Sequence, residues 1–341
     1  MKNILDTNLT IAFAGGFGHM VEVLNDLQLD GAPSVGYKGS APVYRNENLD
    51  ALYGHPWISR NEAANSYSNL EALLDDAKPD VLVVSTRPDQ IADAVAKGLA
   101  AGCHVITEKP LALGQEQLSQ LEQLAGESDV ALLAMLSMRR FQPFRLARKW
   151  IQDGVIGQVS LVNTRKSYRW GKRPDWFRDR SLYGGTWPWI GIHNMDMAHF
   201  LTDRHAVGGS AFHACRVHTD YADCEDLGVG CFELEGGVLM TASIDYLRPA
   251  SAATHGDDWC RVVGERGVIE ASVARSEVKS ITDAGEEVVQ VDQQPVPIFG
   301  EWIRRLSQDP ESLVSDDTAI RLTRSVLAAR DAADRMTGFR L

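Results

Sequence analysis

Short apolar runs alternate with segments of helical periodicity through the first 135 residues, and this alternation constrains the fold most. The apolar runs cover residues 80–86, 104–107 and 130–135, and the helical patterns cover residues 69–77, 90–101 and 115–125. A short continuous apolar run is typical of a strand that is buried on both faces. Strands that alternate with helices form a parallel sheet with helices on both sides. We therefore predict an α/β domain with a doubly wound parallel sheet.

A glycine turn follows another buried-strand candidate near the beginning of the chain. Residues 9–14 form the strand candidate, Gly15-Gly16-Phe17-Gly18 follows, and a helical pattern continues to about residue 27. This order is typical of a dinucleotide site, because glycine lets the backbone approach a pyrophosphate and the helix N-terminus offers unpaired N–H groups. The outer glycines of the turn fit the second and third glycines of the fingerprint, whereas Phe13 replaces the first. We predict cofactor binding here, although glycine turns also follow strands that bind no phosphate.

The second strand is expected to end near Tyr37 and Lys38. A site for NAD usually carries an acidic residue at this place to hold the ribose hydroxyls, and neither residue is acidic. Lys38 would either meet a 2′-phosphate, which favours NADP, or be an exposed lysine. The sequence therefore predicts NAD or NADP without choosing between them. Residues 39–66 contain prolines and several asparagines, and we predict a long connection with at most a short helix.

Ligands of parallel sheets bind beyond the carboxyl ends of the strands. Two predicted strands end in polar segments, which are Thr86-Arg87-Pro88 and Glu108-Lys109-Pro110. We expect both segments to contact the cofactor. A residue before proline favours an extended backbone, so the side chain of Lys109 is expected at the strand tip. Beside a nicotinamide this lysine would transfer a proton, and the alternative is a surface lysine paired with Glu108.

The pattern changes after Phe141 to strand-like alternation. A helix is predicted over residues 144–152, and strands are predicted over residues 159–164, 227–232, 238–243, 260–263 and 267–270. Short turns join neighbouring strands, as at Glu235-Gly236-Gly237, which is typical of an antiparallel sheet. We predict a Rossmann domain over residues 1–138 and a substrate-binding α/β domain with an open, mostly antiparallel sheet over residues 139–341. The last helix is predicted over residues 316–336, and the open sheet face is expected to form a homodimer or homotetramer.

A histidine follows a glycine-rich loop in the second half of the chain. Gly184, Gly185 and Pro188 predict a tight loop, and apolar residues from Ile190 onward have the spacing of an amphipathic helix. On this helix His193 could exchange a proton near neutral pH, and the alternative is a buried histidine that only bonds to a neighbour. His193, Asp196 and His199 have helical spacing for a metal site, but we favour a site without metal.

An aromatic and arginine-rich segment covers residues 168–178 and includes Trp170 and Trp176. Aromatic rings stack on polar ring compounds, and arginines donate hydrogen bonds to them. The same side chains could instead pin the loop to the protein. We favour substrate contact for this segment.

Charge and cysteine content exclude several other classes. The net charge is −12 over 341 residues, which excludes broad nucleic-acid binding because that needs a basic surface. Five cysteines without CxxC spacing predict reduced thiols and a cytoplasmic protein. No apolar stretch reaches the roughly 18 residues of a membrane-spanning helix, and the first residues lack the apolar run of a signal peptide.

With these motifs in this order, the chain resembles the Gfo/Idh/MocA family of NAD(P)-dependent oxidoreductases over nearly its whole length. The segments that carry the resemblance are the turn at 15–18, Glu108-Lys109-Pro110, residues 139–143 with 154–157, and residues 184–196. The resemblance implies a Rossmann domain followed by an open-faced α/β domain. It implies hydride transfer between a nicotinamide and a sugar, polyol or related substrate. Lys109 and His193 would be the proton-relay pair.

The substrate is expected to contact the side chains of Arg139, Trp176, Trp189, His193 and Asn194. Family members often have an aspartate four residues before the histidine, where this chain has Trp189. An indole provides an apolar wall or one N–H donor instead of a negative charge. Two alternatives stay open beside the dehydrogenase. One is an enzyme that oxidises and reduces its bound cofactor within one cycle of elimination or glycoside cleavage, and the other is a catalytically silent nucleotide or sugar sensor.

Overall fold

The predicted parallel sheet is present in the structure, a computed structural model that describes residues 9–29, 43–44, 66–314 and 316–335. Its strands are β1 (Ile11–Gly15), β2 (Val43–Tyr44), β3 (Ser66–Tyr67), β4 (Val81–Ser85), β5 (His104–Thr107) and β6 (Leu132–Ala134). They pair in parallel in the order β3-β2-β1-β4-β5-β6. Every residue of β1, β4 and β6 is buried, which explains why these strands read as continuous apolar runs.

Helices connect these strands as predicted. They are α1 (Met20–Leu29), α2 (Leu70–Ala77), α3 (Pro88–Ala100) and α4 (Gln115–Gly126). The side chain of Asn69 caps α2 by accepting a hydrogen bond from the amide of Ala72 at 2.7 Å, and α3 begins with a proline, whose fixed φ suits the first helical turn. The expected strand end at Tyr37 and Lys38 lies outside the described residues.

The prediction of an irregular connection over residues 39–66 is wrong for the residues of this range that the structure describes. Val43–Tyr44 and Ser66 belong to β2 and β3. Two-residue strands are too short to produce a periodic pattern in the sequence, so they are recognised only from their pairing with β1 and with each other.

The second sheet is mostly antiparallel, as predicted. Its strands are β7 (Val159–Ser167), β8 (Ala206–Ala214), β9 (Leu227–Leu234), β10 (Val238–Asp245), β11 (Trp259–Gly264), β12 (Gly267–Ser272), β13 (Glu277–Thr282) and β14 (Gly285–Gln290). The order is β14-β13-β12-β11-β7-β10-β9-β8, and among these described strands β7 and β10 form the one parallel pair.

Helices cover one face of this sheet and leave the other face open. The helices before and between its strands are α5 (Gln142–Gln152), α6 (Arg180–Tyr183) and α7 (Ile192–Thr202), and α5 and α7 pack on the sheet. Burial alternates along β9 and β10, and Val229 and Leu239 on the open face are 49% and 58% exposed. The open-faced α/β domain is therefore confirmed.

The last helices in the described part of the chain are α8 (Ile298–Gln308), α9 (Glu311–Val314) and α10 (Thr318–Asp334), and α10 was predicted. The chain divides into two compact units, one up to Met135 with Pro297–Ile320, and one with Leu136–Val296 and the chain from Arg321. The division falls near the predicted boundary after residue 138, but the sequence did not predict the return of Pro297–Ile320 to the first unit. None of the described helices combines the length and the apolar character needed to cross a membrane.

Candidate active site

The glycine turn lies against the tip of β4 in the first unit. Gly15 has a φ of +81°, and a Cβ at this position would lie 2.5 Å from the carbonyl oxygen of Ser85. The amide of Phe17 donates a hydrogen bond to that same oxygen at 2.9 Å, and the hydroxyl of Ser85 donates to the carbonyl of Phe17. Only glycine satisfies both the backbone angle and the close approach at position 15. The turn is therefore fixed at the carboxyl ends of β1 and β4.

A buried carboxylate connects this turn to the tip of β5. Glu108 is 2% exposed, and its Oε1 accepts hydrogen bonds from the amide of His19 and from His19 Nδ1, the latter at 2.7 Å. Its Oε2 accepts from the amide of Lys109 at 3.0 Å. Burial alone would raise the pKa of Glu108, but the charges and hydrogen bonds of His19 and the charge of Lys109 lower it to about 2. His19 is a site residue that the sequence did not identify, although it directly follows the last glycine of the turn.

Lys109 and Thr86 are buried at two neighbouring strand tips. Lys109 is 3% exposed, so the alternative of a surface lysine is wrong. Thr86 is 2% exposed, and its Oγ1 has no hydrogen-bond partner among the described residues. The guanidinium of Arg87 donates hydrogen bonds to Asp89 at 2.6 and 3.0 Å, and Pro88 begins α3. A buried hydroxyl without a partner calls for an explanation, and a bound ligand would supply one.

In the second unit, a π-helical turn precedes the helix that carries His193. The turn covers Trp187–Gly191, and such turns occur frequently at functional sites. A Cβ at Gly191 would lie 2.6 Å from the indole of Trp187, so glycine lets that fully buried ring pack against the turn. His193 follows as the second residue of α7 and is 2% exposed.

The predicted helix is present as α7, but its predicted amphipathic character is wrong, because every residue from Ile192 to Ala198 is buried. The helix packs against α5, β7 and β10 and therefore has no solvent face over this stretch. Its buried polar side chains bond to neighbouring elements. Asn194 Nδ2 donates to Thr164 Oγ1 on β7 at 2.9 Å and to the carbonyl of Ser243 at 3.3 Å.

Arg139 binds another buried polar group of this helix. Its Nε donates to Oδ1 of the fully buried Asp196 at 2.8 Å, and its Nη2 lies 2.7 Å from the same oxygen. The guanidinium that was expected to contact substrate thus has a carboxylate partner within the protein. Its contact with substrate stays a prediction.

Trp176 and Trp189 belong to an aromatic cluster. The ring of Trp189 lies 5.9 Å from that of Trp176, 5.7 Å from Phe177 and 6.0 Å from Tyr183, measured between centroids. Part of the predicted loop is regular, because Asp175–Arg178 forms a 3₁₀ turn. Both tryptophans keep some exposure, so each can present a ring edge or face to a ligand.

The sequence did not identify a buried ion pair that lies beside α7. Lys166 is 1% exposed, and its Nζ donates to Oδ2 of Asp258 at 2.7 Å. Lys166 follows Thr164 by two positions on β7, so both side chains point to the same face of the sheet, where Thr164 contacts Asn194. The partners are 92 residues apart, and nothing local in the sequence indicates the pair.

The predicted absence of a metal site stays a prediction. His199, from the spacing noted above, stacks on His205 with ring centroids 3.9 Å apart. In the described part of the chain, His213, Glu225 and Asp334 lie close enough to share an ion. Arg180 already donates hydrogen bonds to both of those carboxylates.

Comparison with known proteins agrees with this geometry. The profile "Oxidoreductase family, NAD-binding Rossmann fold" matches residues 50–135, and the profile "GFO/IDH/MocA C-terminal domain" matches residues 144–270. Inositol 2-dehydrogenase of Rhizobium meliloti is 29% identical over 210 residues, which are 60% of this chain and 61% of that protein. The chain spans about half the length of several of the curated relatives that it matches.

Solved structures match over nearly the whole chain. A Thermotoga maritima protein, provisionally assigned as an oxidoreductase, has a TM-score of 0.87 and 29% identity, with 96% of this chain and 99% of that chain covered. Levoglucosan dehydrogenase in complex with NADH and levoglucosan has a TM-score of 0.78 at 17% identity, with 96% and 98% covered, and supports the fold. With both halves matched by the family's profiles, the chain belongs to the Gfo/Idh/MocA family of oxidoreductases and carries its NAD-binding Rossmann domain.

Proposed function

We propose that this protein is an NAD(P)-dependent dehydrogenase or reductase that acts on a sugar, a polyol or a related compound. The observation that carries the proposal is the burial of Lys109 at the tip of β5 in an NAD-binding domain, bonded through its amide to the carboxylate that holds the glycine turn. A buried lysine at a ligand-binding strand end is an unusual and costly placement unless its charge is used. Inositol 2-dehydrogenase and levoglucosan dehydrogenase, two related proteins, support the substrate class by their names.

The residues at the strand tips fit a dinucleotide. The hydroxyl of Thr86 is buried without a partner among the described residues, and position 15 leaves no room for a Cβ. The glycine turn and Thr86 would hold the phosphates and the adjoining ribose, with Glu108 and Lys109 beside them. When bound, NAD(P) supplies the carbon centre that accepts or donates hydride.

Within this proposal, two side chains of the protein move the hydroxyl proton. Lys109 Nζ would take the proton as the substrate carbon is oxidised and return it in the reverse direction. His193 would pass the proton onward, because an imidazole changes charge near neutral pH. Each residue is at most 3% exposed, which limits the access of bulk water to the exchange.

The first experiment measures cofactor binding and turnover separately. Purified protein is titrated with NADH and with NADPH by fluorescence, and a panel of sugars, polyols and their oxidised forms is then followed by nicotinamide absorbance and by product analysis. Net reduction or oxidation of nicotinamide supports the dehydrogenase. Product without a net absorbance change indicates the cofactor-retaining cycle instead, and binding without any turnover indicates the silent sensor.

The second experiment removes the two proton-transfer groups. Lys109→Ala and His193→Ala should each lower turnover by roughly 10²- to 10⁴-fold, the usual contribution of general acid–base catalysis. Lys97→Ala removes a lysine of α3 that pairs with Asp93 and Glu71, and His199→Ala removes an imidazole from the same helix as His193. Both controls should keep most of the activity. Unchanged turnover in the first two variants would refute the relay.

The proposal also includes the oligomeric state of the protein and its cellular compartment. We propose that the open face of the second sheet joins two or four copies of the chain, because apolar side chains on strands β9 and β10 are exposed there. We place the protein in the cytoplasm. The supporting observation is that all five cysteines are free thiols, as is usual in a reducing compartment.

A further inference from the structure

We infer that the substrate carries an anionic group, a carboxylate or a phosphate, and that Arg169, Arg173 and Lys166 form the subsite that binds it. The inference rests on the proposed function, because it names the substrate class of the same site. The three residues are defined here as the cationic subsite.

Two arginines of this subsite have unused hydrogen-bond donors. Arg169 and Arg173 are both half-buried, and the Nε atom of each is inaccessible to solvent and lacks a hydrogen-bond partner within the described chain. Arg178, on the same loop, differs because it donates to the carbonyl of Asp220 at 2.5 Å and lies 3.7 Å from Asp175. Buried guanidinium donors are normally satisfied by carboxylates or carbonyls. Their lack of protein partners indicates that a ligand oxyanion bonds to them.

Aromatic rings hold Arg173 in place. Its Cζ atom lies 4.6 Å from the ring centre of Tyr246, 5.1 Å from that of Phe177 and 5.3 Å from that of Trp170. Stacking on ring faces fixes the plane of a guanidinium but uses none of its N–H donors. A guanidinium held in this way is prepared for two parallel hydrogen bonds to a carboxylate or phosphate.

Three cations of the cationic subsite share one neighbourhood with the carboxylate of Asp258. Arg173, Arg169, Lys166 and Asp258 all act electrostatically on His255. Burial and the two arginines lower the pKa of His255, which favours its neutral form. The imidazole of His255 therefore supplies no negative charge to the arginines. Asp258 is already bonded to Lys166 at 2.7 Å. Partly buried positive charge without a counter-ion is costly, and a bound oxyanion would neutralise it.

The carboxylate of Asp257 pairs with arginines outside the cationic subsite. Asp257 lies 3.0 Å from Arg165 and 3.5 Å from Arg248, so its carboxylate already serves two other arginines. Trp189 contributes an indole with no negative charge. Neither Asp257 nor Trp189 therefore serves as the counter-ion of Arg169 and Arg173.

Two sets of contacts connect this subsite to the segment that carries His193. On β7, Lys166 shares a face with Thr164, which bonds to Asn194, the residue after His193. On the other side, Phe177 packs against both Arg173 and Trp189. The cationic subsite thus borders the His193 segment, where it would bind the charged end of a substrate whose hydroxyl reacts elsewhere.

Binding measurements with matched probes test the inference. The full-length protein is titrated calorimetrically with galacturonate, with galactose 6-phosphate and with neutral galactose, at low and at high salt. At least one anionic probe should bind about 10- to 100-fold more tightly than galactose, which is the usual gain from charged hydrogen bonds. That preference should shrink as salt rises. The galacturonate and phosphate titrations then decide which oxyanion the subsite accepts.

Substitutions identify the side chains responsible. Arg173→Gln and Arg169→Gln should each weaken binding of the anionic probe by about 10-fold or more and leave galactose binding unchanged. Arg173→Lys, which keeps the charge and loses the fork of donors, should lose less than Arg173→Gln. Arg178→Gln, on the same loop but with protein partners, is the matched control and should bind like the wild type. Melting temperatures establish that each variant is folded.

The outcomes separate this inference from the proposed function. Equal binding of all three probes, or unchanged anion binding in Arg173→Gln and Arg169→Gln, would overturn the cationic subsite. NADH titration is run in parallel on the same variants and should be unaffected. If NADH binds and only neutral sugars are turned over, the inference fails while the dehydrogenase stands. If NADH and NADPH both fail to bind, the proposed function itself fails.

Discussion

Arg139 Nε donates a hydrogen bond to Oδ1 of Asp196 at 2.8 Å, and Asp196 has no exposed surface. The side chain of Arg139 is 17% exposed, so solvent screens this pair only weakly. The pair connects the start of the second unit to the helix of His193, three residues before Asp196. A buried carboxylate is strongly destabilising when its partner is removed.

Removing this partner should therefore lower stability. We expect Arg139→Met to reduce the free energy of unfolding by about 3 kcal/mol, measured by urea denaturation, because it removes the cation that neutralises the buried Asp196 carboxylate. The control is Lys149→Met, which removes an ion pair with Asp153. The side chain of Lys149 is 66% exposed and that of Asp153 is 50% exposed, so this pair should contribute about 0–0.5 kcal/mol to stability. Equal losses in the two variants would contradict the assigned role of Arg139.

Glu108 should make stability depend on pH in the acid range. Its pKa is lowered from 4.5 to about 2 because His19 and Lys109 outweigh the effect of burial. The stabilisation is complete above the unfolded pKa and is lost as pH falls from about 4.5 to about 2, with a total of about 3 kcal/mol. Urea denaturation between pH 7 and pH 3 should show a smaller acid loss in Glu108→Gln than in the wild type. Parallel pH curves would contradict this prediction.

The backbone at Gly15 should be necessary for cofactor binding. Gly15→Ala forces a Cβ to within 2.5 Å of the Ser85 carbonyl at a φ of +81°, so the turn must move. We expect NADH affinity to fall at least about 10-fold and stability to fall by about 1–3 kcal/mol. Gly102→Ala is the matched control, because Gly102 has a φ of +76° but open space around it. Gly102→Ala should lose some stability and keep its NADH affinity, and equal affinity in both variants would count against the turn as a phosphate site.

The exposed face of the second sheet should control the oligomeric state. Val229→Lys and Leu239→Lys each place a charge on that face, at positions that are 49% and 58% exposed. Sedimentation velocity should show that the wild type is a dimer or tetramer and that the double variant is a monomer, because burying two unpaired ammonium groups opposes association. Val155→Lys lies outside the sheet strands and should leave the association intact. A monomeric wild type would contradict the proposal.

The sequence predicted those parts of the fold whose signal lies within a few consecutive residues. β4 and β5 are recognised because buried parallel strands are continuously apolar, and the Glu108-Lys109-Pro110 segment follows one of them directly. β8 was not predicted, because Gly208 and Gly209 interrupt it and most of its residues are exposed. Strand propensity fails where pairing with β9, rather than the residues themselves, makes the strand.

The candidate site also contains residues that the local sequence predicted and residues that it did not. His193 was found from its own loop and helix, but its neighbours depend on pairs that are distant in the chain. Lys166 and Asp258 are 92 residues apart, and Arg139 and Asp196 are 57 residues apart. Charge pairs between elements leave no periodic trace in a single sequence. The cationic subsite could therefore be identified only once the fold had placed its residues.

Pro297–Ile320 belongs to the first unit, and this limits how relatives of this protein can exchange domains by recombination. The amide of Phe299 donates to the buried carboxylate of Asp26 at 2.9 Å, so a fragment that stops after residue 138 lacks that donor. A gene fusion with a single junction near residue 138 would leave the first unit without its last helices. Recombination would need three junctions, after Met135, Val296 and Ile320, because each unit is built from two separate stretches of the chain.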